Sequence, residues 1–307
     1  MTTQKPVVIL GVFVADTAYR AARQPRMGET ILGNGFALGP GGKGSNQAVA
    51  AGRLGADVTF LSRLGRDTFA EMARATWAGA GVKAAIIETP ESYTGAAYIF
   101  VEETTGNNAI IVSPGAAMLI SEADIDAHAD LIRNAGVFVT QLEQPIDAAL
   151  RALTIAREAG VTTILNPAPA ATLPDAIYPL CDYLTPNETE AEGLTGIPVA
   201  DVGDARRAAE VLLGKGVGTV IVTLGEKGAL VHGAGVSELV PAFSVGQVVE
   251  TTGAGDAFNG GFATALSRGM PTLQAVRFGS AVAGISVTRP GTAPSMPTLA
   301  EVEALVR

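Results

Sequence analysis

The chain has 307 residues, with 21 Lys or Arg against 30 Asp or Glu, a net charge of −9, only 17% charged residues and 48% apolar ones. That acidic, charge-poor balance excludes a nucleic-acid binder, which needs a basic face for phosphates. One cysteine and two histidines exclude a disulfide scaffold, a Cys-rich zinc site and a paired-His metal site. No apolar run approaches the ~18 residues of a membrane helix, so no membrane partner is expected, and a cytoplasmic location is the expectation.

The length allows one large domain or two small ones. The apolar run after Lys5 reads as a buried first strand rather than a signal peptide, because Asp16 and Arg20 interrupt it. Residues 13–38 carry scattered Gly and Pro and no long helical pattern. Residues 94–112 read as a hairpin, with strands at 96–102 and 107–112 joined by 103–106. Both stretches stand outside the rhythm of the rest and predict a small antiparallel β-lid made of two insertions.

From residue 136 onward, short β-branched runs alternate with amphipathic ones. Strands are expected at 136–140, 161–165, 181–185 and 217–224. A helix is expected at 145–160, with Ile146, Ala149, Leu150, Leu153 and Ala156 on one face and Gly160 at its end. Another is expected at 201–214 behind an Asp201 cap. The alternation predicts an α/β fold: a doubly wound, mainly parallel sheet with helices on both faces, ligands binding beyond the carboxyl ends of its strands.

Two glycine-rich stretches carry the chemistry. In GPGGKGSNQAVAAGRLG (39–55), Gly41, Gly42 and Gly44 surround Lys43 and a helix starts near Ser45. Such a loop lets a ligand reach backbone N–H groups at a helix start, although a tight turn needs the same residues. Asn46 offers a donor and an acceptor to hydroxyls. The GxxxxGK[ST] phosphate loop is absent. In ETTGAGDAFNGGF (250–262), Gly253, Ala254 and Gly255 lead into a helix opening at Asp256 or just after, an anion hole in prospect. Asp256 then reads either as the helix's own cap or as a general base beside that hole. Four polar segments follow predicted strands: QLEQP with Glu143, NPAP, TPNETE and TLGEKG. Together they suggest a ligand crevice.

GPGGKGSNQAVAAGRLG, QLEQP, NPAPA, TPNETEAEGLTG, VTLGEKG and TTGAGDAFNGGF, in this order and over essentially the whole chain, resemble the signatures of the ribokinase-like, phosphofructokinase-B type sugar kinases. The resemblance implies a single α/β domain with a β-lid, transfer of the γ-phosphoryl group of ATP to a sugar hydroxyl with Mg²⁺, K⁺ activation, and a homodimer joined through the lid. It makes Asp256 the catalytic base and Gly253, Ala254 and Gly255 the anion hole. Asp16, Gly42, Lys43, Asn46 and Glu143 fall at sugar positions. Asn187, Thr223, Gly225, Gly228, Gly255 and Ser280 fall at nucleotide positions, and Glu190 at the place that organises Mg²⁺ through water. Glu250, Thr252, Ser286, Arg289, Gly291 and Ser295 fall at the monovalent-cation site, mostly through backbone oxygens.

The chain departs from the family pattern twice. Val14 stands where GSxNxD has Asn, so either a water or a neighbour pairs that sugar hydroxyl or the preferred sugar lacks it, which makes a 2-deoxypentose the alternative to ribose. Glu250 replaces the usual Asp of the cation site. A nucleoside kinase is disfavoured by the 5% aromatic content, and a non-catalytic sensor by the presence of Asp256. Cys181, His128 and His232 receive no role.

Overall fold

The computed structural model describes residues 4–233 and 235–306. In chain order it contains β1 (Val7–Leu10), β2 (Val14–Ala21), β3 (Gly35–Gly41), α1 (Lys43–Arg53), β4 (Val58–Leu64), α2 (Thr68–Gly79), β5 (Lys83–Glu88), β6 (Thr94–Glu102) and β7 (Asn108–Gly115). There follow α3 (Glu122–Ala127), α4 (Ala129–Arg133), β8 (Val137–Thr140), α5 (Ile146–Glu158), β9 (Thr162–Leu165), β10 (Tyr183–Leu184), α6 (Glu188–Thr195) and α7 (Val202–Gly214). The chain closes with β11 (Thr219–Thr223), β12 (Ala229–Gly233), β13 (Val236–Val240), α8 (Ala254–Ser267), α9 (Thr272–Ser286) and α10 (Leu299–Val306).

A nine-stranded sheet runs β13-β12-β11-β10-β9-β8-β1-β4-β5. It is parallel from β5 to β11 and antiparallel only at β12 and β13. Alternate side chains of its strands feed two cores. Val7, Ile9, Val58, Phe60, Val137 and Val139 pack with α1, α2, α8, α9 and α10. Val8, Leu10, Leu61, Phe138, Leu165 and Val220 pack with α3 to α7. Burial on both faces explains why these strands are unbroken apolar runs. Helix boundaries follow local chemistry: Asp201 caps α7 in a reciprocal capping box, and Gly160, at φ 71°, takes the left-handed turn that ends α5. Among the described residues, no helix is long and apolar enough to cross a membrane.

The two irregular stretches form a separate four-stranded sheet, β3-β2-β6-β7. It is not wholly antiparallel as expected. The β2–β3 and β6–β7 pairs are antiparallel, but β2 and β6 run parallel, because the two hairpins join side by side. The sheet also reaches further than expected: β3 continues to Gly41, into the first glycine-rich stretch, and β7 to Gly115. Asp67 ties its base to the main body: one carboxylate oxygen caps α2 at Ala70 N–H (2.8 Å) and the other accepts from Thr94 N–H (2.8 Å).

Two helix starts fall earlier than the sequence suggested. α1 begins at Lys43, not near Ser45, because Gly42 (φ 87°) makes the turn from β3 directly. α8 begins at Ala254, with Gly253 (φ 82°) at the cap position. Asp256 is therefore inside the first turn and is not the helix's cap. The antiparallel edge β12–β13 was also absent from the expectation.

Candidate active site

β1 lies between β4 and β8, so the sheet is wound outward in both directions from it and a crevice opens beyond the carboxyl ends at that point. Gly11, Gln141–Gln144, Asn166, Thr185–Asn187 and Leu224–Gly228 follow β1, β8, β9, β10 and β11 at that same end.

The first glycine-rich stretch closes against this crevice because its glycines have no side chains. A Cβ on Gly44 would lie 2.8 Å from the Gly11 Cα and 2.6 Å from Gln141 Oε1, and one on Gly41 would lie 2.3 Å from the Asp16 carboxylate. At the start of α1, Lys43 N–H donates to Glu143 Oε2 at 2.7 Å. The second stretch approaches from α8. A Cβ on Gly260 would lie 2.6 Å from both Ala50 Cβ and Gln47 O, so only glycine allows α8 this close to α1.

That contact delivers Asp256 to the side chains of α1. Asn46 Nδ2 donates to one carboxylate oxygen at 2.9 Å and Gln47 Nε2 to the other at 3.2 Å. Asp256 is 7% exposed. Burial raises its pKa, while the Lys43 charge and the Asn46 and Gln47 donors work against the rise. Beside it, Ala254 N–H is taken by Thr251 O (3.1 Å). The N–H groups of Gly255 and Asp256, in the first turn, have no acceptor within the helix. Nothing would meet a Cβ on Gly255 within 4 Å, so the space before these donors is open.

Two further carboxylates face the same place. Burial, with Asp256 and Glu250 nearby, pushes Asp16 up to about 6. Burial pushes Glu143 up to about 7, against Lys43 and its N–H and with Asp256 and Asp16 adding to the rise. Glu190 is raised by burial as well. Asn187 and Glu190 form a reciprocal capping box on α6, which leaves Asn187 Nδ2 and the second Glu190 oxygen for other partners. Asn187 also bridges to Thr223, which brings α6 beside the Gly225–Gly228 turn. Ser280 is buried in α9.

The residues expected at a cation site lie on two segments, 249–252 and 286–295, that hydrogen bonds tie together. Glu250 Oε2 accepts from Gly291 N–H at 2.8 Å, and Val249 and Glu250 N–H both donate to Val287 O. Arg289 N–H donates to Ser286 O, while its guanidinium turns to Glu301. Ser286 and Ser295 hydroxyls are spent on Ala283 O and Thr292 O. Thr252 makes no side-chain hydrogen bond among the described residues.

The sequence marked Gln141, Asn166 and Thr185 only as members of polar segments and missed Gln47 and Asn259, which complete the buried polar set behind Asp256. Gln47, Gln141, Asn166, Thr185 and Asn259 are each at most 6% exposed. The available signal was that polar residues immediately follow strands or helix starts in a chain otherwise poor in them.

The model of the pfkB family carbohydrate kinases matches residues 5–299. The chain belongs to the pfkB family of carbohydrate kinases. This pfkB-family chain is 42% identical over 299 residues to a ribokinase of Haemophilus influenzae, covering 97% of each chain. It is 37% identical to a deoxyribokinase of Salmonella typhi, covering 95% of this chain and 96% of that one. Among solved structures, Arabidopsis thaliana ribokinase complexed with ribose and ATP superposes with a TM-score of 0.95 at 32% identity, covering 99% of both chains. As a member of this family the protein is an ATP-dependent sugar kinase.

The raised carboxylates carry a stability consequence. A buried carboxyl with a folded pKa above its unfolded value stabilises the protein below the unfolded value, and that contribution is lost as pH rises through the folded value. For Glu143 the window runs from the usual carboxylate range up to about 7. Glu143→Gln, whose Oε1 can still accept from Lys43 N–H, is expected to raise the apo Tm at pH 8 by roughly 2–4 °C and by less at pH 5. Thermal melts at the two pH values check this; an equal or negative shift at pH 8 overturns it.

Proposed function

We propose that the protein transfers the γ-phosphoryl group of ATP to a hydroxyl of a small pentose, with D-ribose the first candidate and D-ribose 5-phosphate the product. The observation that carries this reading is the buried Asp256 carboxylate, held at both oxygens by Asn46 and Gln47 beside two free N–H groups of α8. Asp256 takes the proton of the attacking hydroxyl as the new O–P bond forms and the bond to ADP breaks. The Gly255 and Asp256 N–H groups, with Gly253 shaping the turn and Ala254 opening the helix, hold the oxygens of the group in transfer.

Asp16, Gly42, Lys43, Asn46 and Glu143 bind the sugar. The Asn46 amide supports this directly: its Nδ2 is used on Asp256, and its Oδ1 is buried without a partner, an acceptor ready for a hydroxyl. Asn187, Thr223, Gly225, Gly228 and Ser280 hold the nucleotide.

Among the described residues, no three His, Cys, Asp or Glu side chains gather closely enough to hold a metal by themselves. The Glu190 oxygen left over from the α6 capping box suits Mg²⁺, which keeps its waters and binds chiefly through substrate phosphates, by orienting one of those waters. The ion supplies charge neutralisation on those phosphates. Glu250, Thr252, Ser286, Arg289, Gly291 and Ser295 are the proposed K⁺ ligands, through backbone oxygens, and Gly291 N–H on Glu250 supports a fixed loop there. A cytoplasmic location goes with this reading, supported by the single buried thiol of Cys181.

Asp256→Asn is expected to lower kcat by about 10²–10⁴-fold with ribose, ATP and Mg²⁺, with little change in the KM for ATP. The same assay run with and without K⁺ tests the cation site. An Asn variant as fast as the parent sinks the base assignment; rates independent of K⁺ sink the cation ligands.

A second acceptor is favoured by one residue. Val14 is 3% exposed, sits two residues before Asp16 on β2, and so shares its face. Its methyl groups join Ala97 and Leu142 in one apolar cluster. A hydroxyl placed against it finds no partner, which favours 2-deoxyribose. Val14→Asn is expected to shift the ratio of kcat/KM for ribose over 2-deoxyribose upward by roughly tenfold. An unchanged ratio removes Val14 from sugar selection.

The small sheet is proposed as a lid over the sugar and as the contact with a second copy. Its outer residues support this: Phe36 is 60% and Ile111 66% exposed, and Tyr19 and Leu38 on the same face of the sheet are also open to solvent. Such a contiguous apolar face marks an association surface. Phe36→Asp with Ile111→Asp is expected to halve the mass seen by light scattering; a parent already monomeric at assay concentrations overturns the dimer.

A further inference from the structure

We propose that Gln47 is a positioning residue for the phosphoryl-transfer step: it anchors one oxygen of Asp256 to a fixed set of buried amides running across the carboxyl ends of β8, β9 and β10. The inference rests on the reading of Asp256 as the base, and goes beyond it to a side chain that touches neither sugar nor nucleotide in that reading.

The direction of every bond in this set is forced. Thr185 O is a carbonyl and can only accept, so Asn166 turns its Nδ2 toward it, at 3.1 Å. Asn166 Oδ1 is thereby left facing Gln47, which donates from Nε2 at 3.1 Å. The second proton of that same Nε2 reaches Asp256 Oδ1 at 3.2 Å. Gln47 Oε1 accepts from Gln141 Nε2 at 2.7 Å. All three polar valences of the Gln47 amide are used, and the side chain is fully buried. A flipped amide would set its oxygen against both Asn166 Oδ1 and the carboxylate. The orientation is therefore transmitted from a sheet carbonyl to the reacting oxygen pair, and the other Asp256 oxygen is left with Asn46.

Gln141 is held in turn by close packing: Cβ atoms on Gly11 and Gly44 would lie 2.5 and 2.6 Å from its Oε1. On the far side, Thr185 Oγ1 donates to Asn259 Oδ1 at 2.7 Å and Asn259 Nδ2 to Gly255 O at 2.9 Å. The set thus begins and ends on α8, at Asp256 and at Gly255 O, and ties the start of that helix to the carboxyl ends of the strands.

Removing the Gln47 donor takes away support for the charged form of Asp256, so its acidic limb moves to higher pH. The charged groups that also face Asp256 are Lys43 at the start of α1, Asp16 on β2, Glu143 after β8 and Glu190 on α6. None of them is altered by a change at Gln47.

The test is Gln47→Leu, assayed for kcat, KM and pH profile with ATP, Mg²⁺ and ribose, alone and combined with Asp256→Asn. The expected result is a kcat lower by roughly 10–100-fold, KM for ATP within about twofold of the parent, and an acidic limb of kcat raised by about one pH unit. In the Asp256→Asn background, Gln47→Leu should cost almost nothing further. A folded Gln47→Leu protein with the parent's kcat and pH profile overturns the proposal. So does an equal loss in the Asp256→Asn background, which would mark a structural role. If Asp256→Asn alone leaves activity intact, the base assignment fails, and that is seen before Gln47 is judged. Should the leucine variant fail to fold, Gln47→Glu keeps the volume and the bond from Gln141; an unshifted acidic limb there overturns the proposal equally.

Discussion

Holding a carboxylate out of water and still charged is costly, and the architecture around the crevice follows from that requirement. Burial alone drives Asp256 toward its neutral form. What opposes burial is a pair of amide donors and one lysine, all on the first turn of α1, and they reach it only because α8 packs against α1 with no side chain at Gly260. α1 itself can sit so close to β1 only because Gly11 and Gly44 meet backbone to backbone. The glycine richness of the two signature stretches is thus first a matter of approach. The ligand-facing N–H groups come with it, because a helix start pressed against a sheet end has nowhere else to aim them.

The same geometry explains why the polar interior is so completely paired. Once amides are buried to hold Asp256, each needs partners of its own, and the demand spreads strand by strand along the carboxyl ends from Gln141 to Asn259. Among the described residues the exceptions are four side-chain oxygens, Asn46 Oδ1, Ser62 Oγ, Gln141 Oε1 and Gln144 Oε1, and two of them are informative. Asn46 Oδ1 lacks a partner at the place where a sugar hydroxyl is proposed to sit, and Gln141 Oε1 lacks one where two glycines press against it. One orphan faces the crevice; the other reflects the tight packing that the crevice requires.

Much of this was legible in the residues. The parallel sheet could be read because strands covered on both faces are continuous β-branched runs, and α7 because Asp201 stands as a cap before it; the reciprocal bond from Asp204 is the structure's addition. The antiparallel β12–β13 pair could not: its strands are five residues each, and direction in a sheet is set by neighbours rather than by composition. The parallel join of β2 to β6 was hidden for the same reason, being a meeting of two hairpins distant in sequence. Asp256 looked like a cap because carboxylates usually are at a helix start; the left-handed Gly253 takes that place instead. Gln47 was illegible for a different reason. Its partners stand in α8 and after β8 and β9, and nothing local distinguishes a glutamine that orients a carboxylate from one that faces solvent.

The net charge of −9 poses a final question: how does an acidic protein gather a sugar and a polyanion around four carboxylates? The answer lies in how unequally those carboxylates are supported. Asp16 receives no side-chain hydrogen bond among the described residues and is pushed up to about 6. Glu143 receives one, from Lys43 N–H, and is pushed up to about 7 by deeper burial. Burial raises both, so each holds its charge less firmly than an exposed carboxylate does, which softens the repulsion of an incoming phosphate. Asp256 receives two donors and stands nearest the two unpaired N–H groups of α8. Hydrogen-bond donors to a carboxylate favour its ionised form, so Asn46, Gln47 and the Lys43 charge work against the rise that burial gives Asp256, as the proposed base requires. Net charge says little about such a site, because the field that matters is made by Lys43, by helix starts and by amides within one turn of the reacting atoms.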